Sequence, residues 1–225
     1  MTGYSLTFGP VIERWPLLVD GLVLTIVLTL VGMFLGTGAG LLIALARRSA
    51  HWPLRWLARG YVEIFRNTPL LVQLFIVYLG LPSLGIRFSP VAAACVALVL
   101  NNAAYTSEII RAGLAATPRG QVEAAKSLAL RPWQILAFIV LPPALARVYP
   151  ALVSQNVLLM LSTGITSTIG AQELTAVVSD INSDTFRSIE AFSVAAGLYL
   201  VLNYLQRLLL WLLGLRLFRG SRVWA

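Results

Sequence analysis

Residues Gly120 to Pro143 read GQVEAAKSLALRPWQILAFIVLPP, a charged stretch set between apolar segments long enough to span a bilayer. Pro118 and the helix formers after it predict a helix starting near Pro118 and Arg119. Glu123 falls in its early turns, where a carboxylate suits the helix dipole. Ala124, Ala125 and Ala129 leave a thin face that another protein's backbone can approach closely, while Arg119, Lys126 and Arg131 hold the segment at the water boundary rather than in lipid. The pattern is that of a helix exposed to water and shaped to be gripped by a partner.

Composition places that helix on a membrane protein. Of 225 residues 58% are hydrophobic and only 12% charged, with a mean hydropathy of +0.82, which leaves too little polar surface to cover a soluble globule. The net charge of +8 is not gathered into a patch on a water-exposed domain, so no nucleic acid is expected as a partner. The single cysteine, Cys95, sits in an apolar run and reads as packing, with no disulfide framework or thiolate metal site. His51, the only histidine, has no partner cluster and reads as a solvated loop residue.

The expected fold is all-α and polytopic, a single transmembrane domain over residues 1–225. Five spans are predicted at about 21–46, 61–81, 89–110, 144–170 and 191–217, with the exposed stretch at 118–143. Residues 1–20 read as an external tail or interfacial segment, and 171–190 as a polar external loop with some helix. Ala44-Leu45-Ala46 superficially resembles a signal-peptide cleavage site, but the apolar run before it is too long and the basic residues follow it. Gly21, Thr25, Thr29, Gly32, Gly36 and Gly40 form a small-residue face on the first span, suited to close helix packing with this chain or with a second subunit. Putting the first loop inside leaves 14 of the 17 Lys and Arg on the cytoplasmic side, including Arg216, Arg219 and Arg222 at the end, and only Arg14, Arg87 and Arg187 outside. The amino terminus is therefore expected outside, and the carboxyl terminus and 118–143 inside.

No catalytic constellation is present. The chain has no phosphate-binding loop, no H-E-x-x-H and no Cys/His cluster, so neither ATP hydrolysis nor a catalytic metal is expected of it. What remains is a set of polar groups at membrane depth: Asn67 and Gln73 on the second span, Asn101, Asn102 and Glu108 on the third, and Gln155, Asn156, Ser162 and Thr163 on the fourth. Such groups are costly against lipid and should face the bundle interior, a subunit interface or a water-filled path. For each amide, a bond between helices competes with contact to a solute. For Glu108, a pair with Arg111 three residues on is the favoured reading.

Three motifs in order carry a family resemblance. Glu123-Ala124-Ala125, Ser127-Leu128 and Leu141-Pro142 resemble the EAA loop of ATP-binding-cassette importer permeases. Phe65-Arg66-Asn67-Thr68-Pro69-Leu70-Leu71-Val72-Gln73, together with Asn102-Ala103-Ala104-Tyr105, Glu108-Ile109 and Arg111-Ala112-Gly113, resembles the polar amino acid permeases of that class. The resemblance implies a cytoplasmic coupling helix docked in an ATPase subunit, with Gly120, Glu123, Ala124, Ala125, Ser127, Ala129 and Pro142 at the contact. It implies a translocation path drawing on Asn67, Gln73, Asn101, Asn102, Glu108, Gln155, Ser162 and Thr163. It further implies ATP and magnesium bound by the partner ATPase, a second permease subunit, an extracytoplasmic solute-binding protein, and a place in the bacterial cytoplasmic (inner) membrane. An ion-coupled carrier would call for an internal repeat and several intramembrane acids, and a passive membrane anchor would not need polar groups on three spans.

Two positions depart from the family. Ala129 stands where glycine is usual, and a left-handed alanine costs roughly 1 kcal/mol or more, so the helix is expected to run further or end differently. Leu161-Ser162-Thr163-Gly164-Ile165 stands where a Lys-Asp-Thr or Lys-Asn-Thr run is usual, which favours a non-identical partner permease supplying the missing charges.

Overall fold

A computed structural model describes residues 5–218, all of its regular structure helical and without strands among them. Arg219 and Arg222 lie outside the described residues. A short turn of helix, α1 (Gly9–Ile12), leads into α2 (Trp15–Ala46), with Pro10 and Pro16 in their first turns, where a missing N–H is not costly. The apolar helix thus starts at Trp15 rather than near Gly21, and residues 15–20 are its first turns.

The second predicted span is not one straight helix. It divides into α3 (Trp52–Asn67) and α4 (Leu70–Phe75), and α4 continues through a π turn at Ile76–Gly80 and a 3-10 turn at Leu81–Leu84. The two halves are bent by 109°. Pro69 is the cause: it has no N–H to continue the helix and drives Thr68 into extended backbone, φ −114 and ψ 140.

The chain returns through α5 (Pro90–Ala115), where the Ser89 hydroxyl accepts from the Ala92 N–H as an N-cap. Next come α6 (Arg119–Ser127) and α7 (Pro132–Gln134), then a π turn at Ile135–Val140 and α8 (Leu141–Ser162). A 3-10 segment at Thr163–Ile169 completes a continuous apolar run from Pro132 to Ile169. The chain finishes with α9 (Leu174–Thr185) and α10 (Ser188–Leu217). Among the described residues four helices are long and apolar enough to cross a membrane, or five if the bent pair α3 and α4 is counted as one span.

The core is organised around α5, which packs on α2, α3 and α8. The small-residue face of α2 is used inside the chain. A Cβ at Gly36 would lie 2.9 Å from the Asn102 Cβ, and one at Gly40 3.0 Å from the Ala103 carbonyl, so bare backbone is needed for α2 and α5 to meet at this spacing. The helix α9 buries Leu174, Val177, Val178 and Ile181 with Val11, Leu18 and Ala191. Residues 171–190, read from composition as a polar external loop with some helix, contain this packed helix over Leu174–Thr185. Glu173 and Glu190 are fully buried, because Glu173 accepts from Tyr199 and from the Ala176 N–H while Glu190 accepts from the Thr7 N–H.

Candidate functional site

The helix α6 is short, amphipathic and held by one face. Ala125 is buried against Ile110, Leu114, Ile135, Val140 and Ala144, whereas Gly120, Gln121, Glu123, Ala124 and Ser127 are exposed and Leu128 is 76% exposed. The outward face is therefore thin, with glycine and alanine at Gly120 and Ala124 and a carboxylate at Glu123. A cavity of about 360 Å³ separates the Arg119, Val122, Glu123 and Lys126 side of α6 from Arg48, Leu114 and Thr117. Pro142, at the start of α8, is exposed nearby in sequence but belongs to the next element.

The end of α6 corrects the reading of Ala129. The helix does not run on. Ala129 takes the left-handed conformation at φ 56, its N–H donates to the Lys126 carbonyl at 2.9 Å, and the Leu130 N–H donates to the Ala125 carbonyl at 3.2 Å. These two bonds are those of a Schellman ending, with alanine in the place that glycine usually fills. Leu130 packs on the same cluster as Ala125, so an apolar contact accompanies the bonds and offsets part of the alanine cost. The stretch 118–143 is thus two elements joined at a sharp corner: α6, and the start of the run that begins at Pro132.

The polar groups expected at membrane depth fall into separate hydrogen-bonded groups. Gln73 sits behind the α3–α4 bend. Its Nε2 donates to the Phe65 carbonyl at 2.8 Å and to the Thr68 carbonyl at 3.0 Å, and its Oε1 accepts from Asn101 Nδ2 at 3.0 Å. Asn102, next along α5 and fully buried, donates to the Gly32 carbonyl at 3.0 Å and accepts from Gln155 at 3.3 Å, tying α2, α5 and α8 together. Asn67 is exposed and bonds to Glu63 on its own helix. The hydroxyls of Ser162 and Thr163 donate to carbonyls of their own chain segment, at Leu158 and Met160.

Glu108 is held by two cations. Arg111, on the same helix, pairs with it as the sequence suggested, and Arg47 at the end of α2 pairs with its other oxygen. The second partner was missed because it lies 61 positions away, and no local pattern announces it. Arg47 follows Ala44, which packs against Ile110 and Leu114, so the ion pair closes the end of the α2–α5 seam. The Glu173–Tyr199 and Glu190–Thr7 bonds were also missed, again because each joins residues far apart in sequence. No group of three or more potential metal ligands occurs among the described residues.

Residues 36–219 match the family described as binding-protein-dependent transport system inner membrane component. The chain is 38% identical over 197 residues to the octopine transport system permease protein OccM of Rhizobium radiobacter, covering 84% of this chain and 80% of that one. It is 36% identical over 199 residues to the arginine transport system permease protein ArtQ of Bacillus subtilis, covering 88% and 91%. Among solved structures, an amino acid ABC transporter crystallised with histidines matches at 35% identity with a TM-score of 0.86, covering 95% of this chain and all of that one.

Proposed function

The chain belongs to the binding-protein-dependent transport system inner membrane component family, and from that membership we propose that it carries a polar amino acid or related small solute and uses α6 as its coupling helix. The protein is a permease subunit of an ATP-binding-cassette importer, and the ATPase is a separate subunit. It is neither an ion-coupled carrier nor a passive anchor. The solute class is taken from the relatives, whose names record octopine and arginine transport.

In the proposed arrangement the amino terminus lies outside, and α6 and the carboxyl terminus lie in the cytoplasm. The membrane is the bacterial cytoplasmic membrane. An external solute-binding protein delivers the solute, two ATPase subunits bind ATP and magnesium, and a second permease completes the path. Closure of the ATPase pair pulls on α6, and the rigid corner at Ala129 passes that movement to the run beginning at Pro132, so that the bundle rocks between outward-facing and inward-facing states. The observation that carries the reading is the outer face of α6: thin at Gly120 and Ala124, acidic at Glu123, and fixed from behind by the buried Ala125.

The test is reconstitution with the ATPase and binding protein across a panel of basic, acidic and neutral amino acids and opines. Stimulation of ATP hydrolysis by one of these solutes supports the reading. Stimulation by none of them, in a complex that still hydrolyses ATP, would remove the proposed solute class.

A further inference from the structure

The helix α3 carries three faces with different chemistry. At about 100° per residue, Arg55, Arg59, Glu63 and Arg66 line one stripe, and Leu54, Leu57, Tyr61 and Ile64 line another. Ala58, Val62 and Phe65 lie between the two stripes, and Ala58 and Val62 are buried against the rest of the chain. Trp52 and Trp56, the latter 71% exposed, stand at the beginning of the helix. A helix that crossed the hydrocarbon in isolation would take three arginines and a glutamate into lipid, which is costly. A helix lying along the bilayer surface, with one flank in water and the other in acyl chains, satisfies both stripes, and tryptophan suits that boundary.

The packing agrees with a surface position. The segment after the bend packs along α5, with Leu70, Leu74 and Val77 in one apolar cluster with Ala93 and Ala97. The axis of α3 is turned by 109° from that direction. Tyr61 donates to the Leu100 carbonyl at 2.6 Å, which fixes the helix across α5. The basic stripe is mostly unspent. Arg55 and Arg59 form no ion pair among the described residues, Arg66 rests over the Tyr105 ring at 5.6 Å, and Glu63 is the one acid on the stripe.

We propose that α3 lies in the cytoplasmic headgroup layer and binds the phosphates of anionic phospholipid through Arg55 and Arg59. Binding there would hold the Thr68-Pro69 bend, and with it the Gln73–Asn101 contact, at a fixed depth. The inference rests on the proposed orientation for its choice of leaflet.

The whole importer, with ATPase and second permease, is reconstituted in phosphatidylcholine with or without phosphatidylglycerol, and the preference of the protein for spin-labelled phosphatidylglycerol over spin-labelled phosphatidylcholine is measured. Preference for the anionic lipid is expected, falling by about fivefold for each of Arg55→Gln and Arg59→Gln, the equivalent of about 1 kcal/mol per basic residue at an anionic surface. Solute-stimulated ATPase activity of the double variant should no longer respond to phosphatidylglycerol, and its rate in phosphatidylcholine alone should match the parent. If the stripe instead lines the water-filled path, or is covered by the second permease, the double variant keeps its lipid preference, and that result overturns the proposal. Labelling of R119C by impermeant reagents in the same vesicles reports orientation separately. Accessibility from the outer face together with intact lipid preference would overturn the orientation and the leaflet while leaving the lipid-binding stripe in place.

Discussion

Gln73 is placed where Pro69 has broken the helix, and it serves the groups that the break leaves without partners. Its amide reaches the Phe65 and Thr68 carbonyls while accepting from Asn101. Gln73→Leu would strand these polar atoms at about 1–3 kcal/mol for each buried group left unpaired. The variant is expected to lose at least about 2 kcal/mol of stability. Thermal denaturation of the detergent-purified complex measures this, and an unchanged midpoint would mean that the Gln73 bonds do not stabilise the bend. Glu108 is a second such position, with its pairs to Arg47 and Arg111 sheltered at side-chain exposures of 12% for Arg47 and 23% for Glu108. Glu108→Gln should cost about 2 kcal/mol or more by leaving Arg47 uncompensated, and the double variant with Arg47→Met should recover part of that loss. Strict additivity of the two single losses would mean that the pair contributes nothing. The sequence identified Gln73 and Glu108 as polar groups at depth and gave Arg111 as a partner. It could not give the Asn101 bond or Arg47, since both depend on how helices distant in sequence pack.

At the scale of elements, the corner after α6 matters more than the helix itself. Ala129 at φ 56 bears a left-handed cost of about 1–2 kcal/mol, which shows that the surrounding bonds and the Leu130 contact override local preference. Ala129→Gly should change stability by less than about 1 kcal/mol, because relief of the clash is partly cancelled by the larger backbone freedom of glycine in the unfolded chain. Ala129→Val should be clearly destabilising and should lower solute-stimulated ATPase activity, which a thermal scan and an activity assay on the same sample will report. Equal behaviour of the Val and Gly variants would mean that the corner is not rigid. The start of α6 was readable from Pro118 and the residues after it. Its end was not, because alanine has no local preference for the left-handed region and only the tertiary contact selects it. The α3–α4 bend was missed for a related reason. Hydropathy over 61–81 is that of a span, and Pro69 was read as part of a motif rather than as a break that turns the chain.

At the scale of the molecule, the chain buries its small-residue face within itself and leaves most of α10 exposed, with Leu200, Leu205, Leu209 and Leu217 among its outward residues. Surfaces of this kind suit lipid and further subunits, in keeping with a permease that works only in an assembly. The family resemblance sets Leu161-Ser162 where Lys-Asp or Lys-Asn is usual, and on that ground we infer that the partner permease is a different chain. Expression with the ATPase and binding protein alone is then expected to give little solute-stimulated hydrolysis, restored when the second permease is added. Full activity from the single permease would sink the heterodimer. The all-helical, polytopic character was legible from composition, since it is a sum over the chain and does not depend on packing. The thin face of α6 is proposed to sit in an ATPase subunit, and the measurement that decides this is protection of Ala124→Cys from an impermeant maleimide. The thiol should be shielded in the assembled complex and become reactive once the ATPase is stripped from the membrane. Equal reactivity with and without the ATPase would contradict the coupling role of this helix.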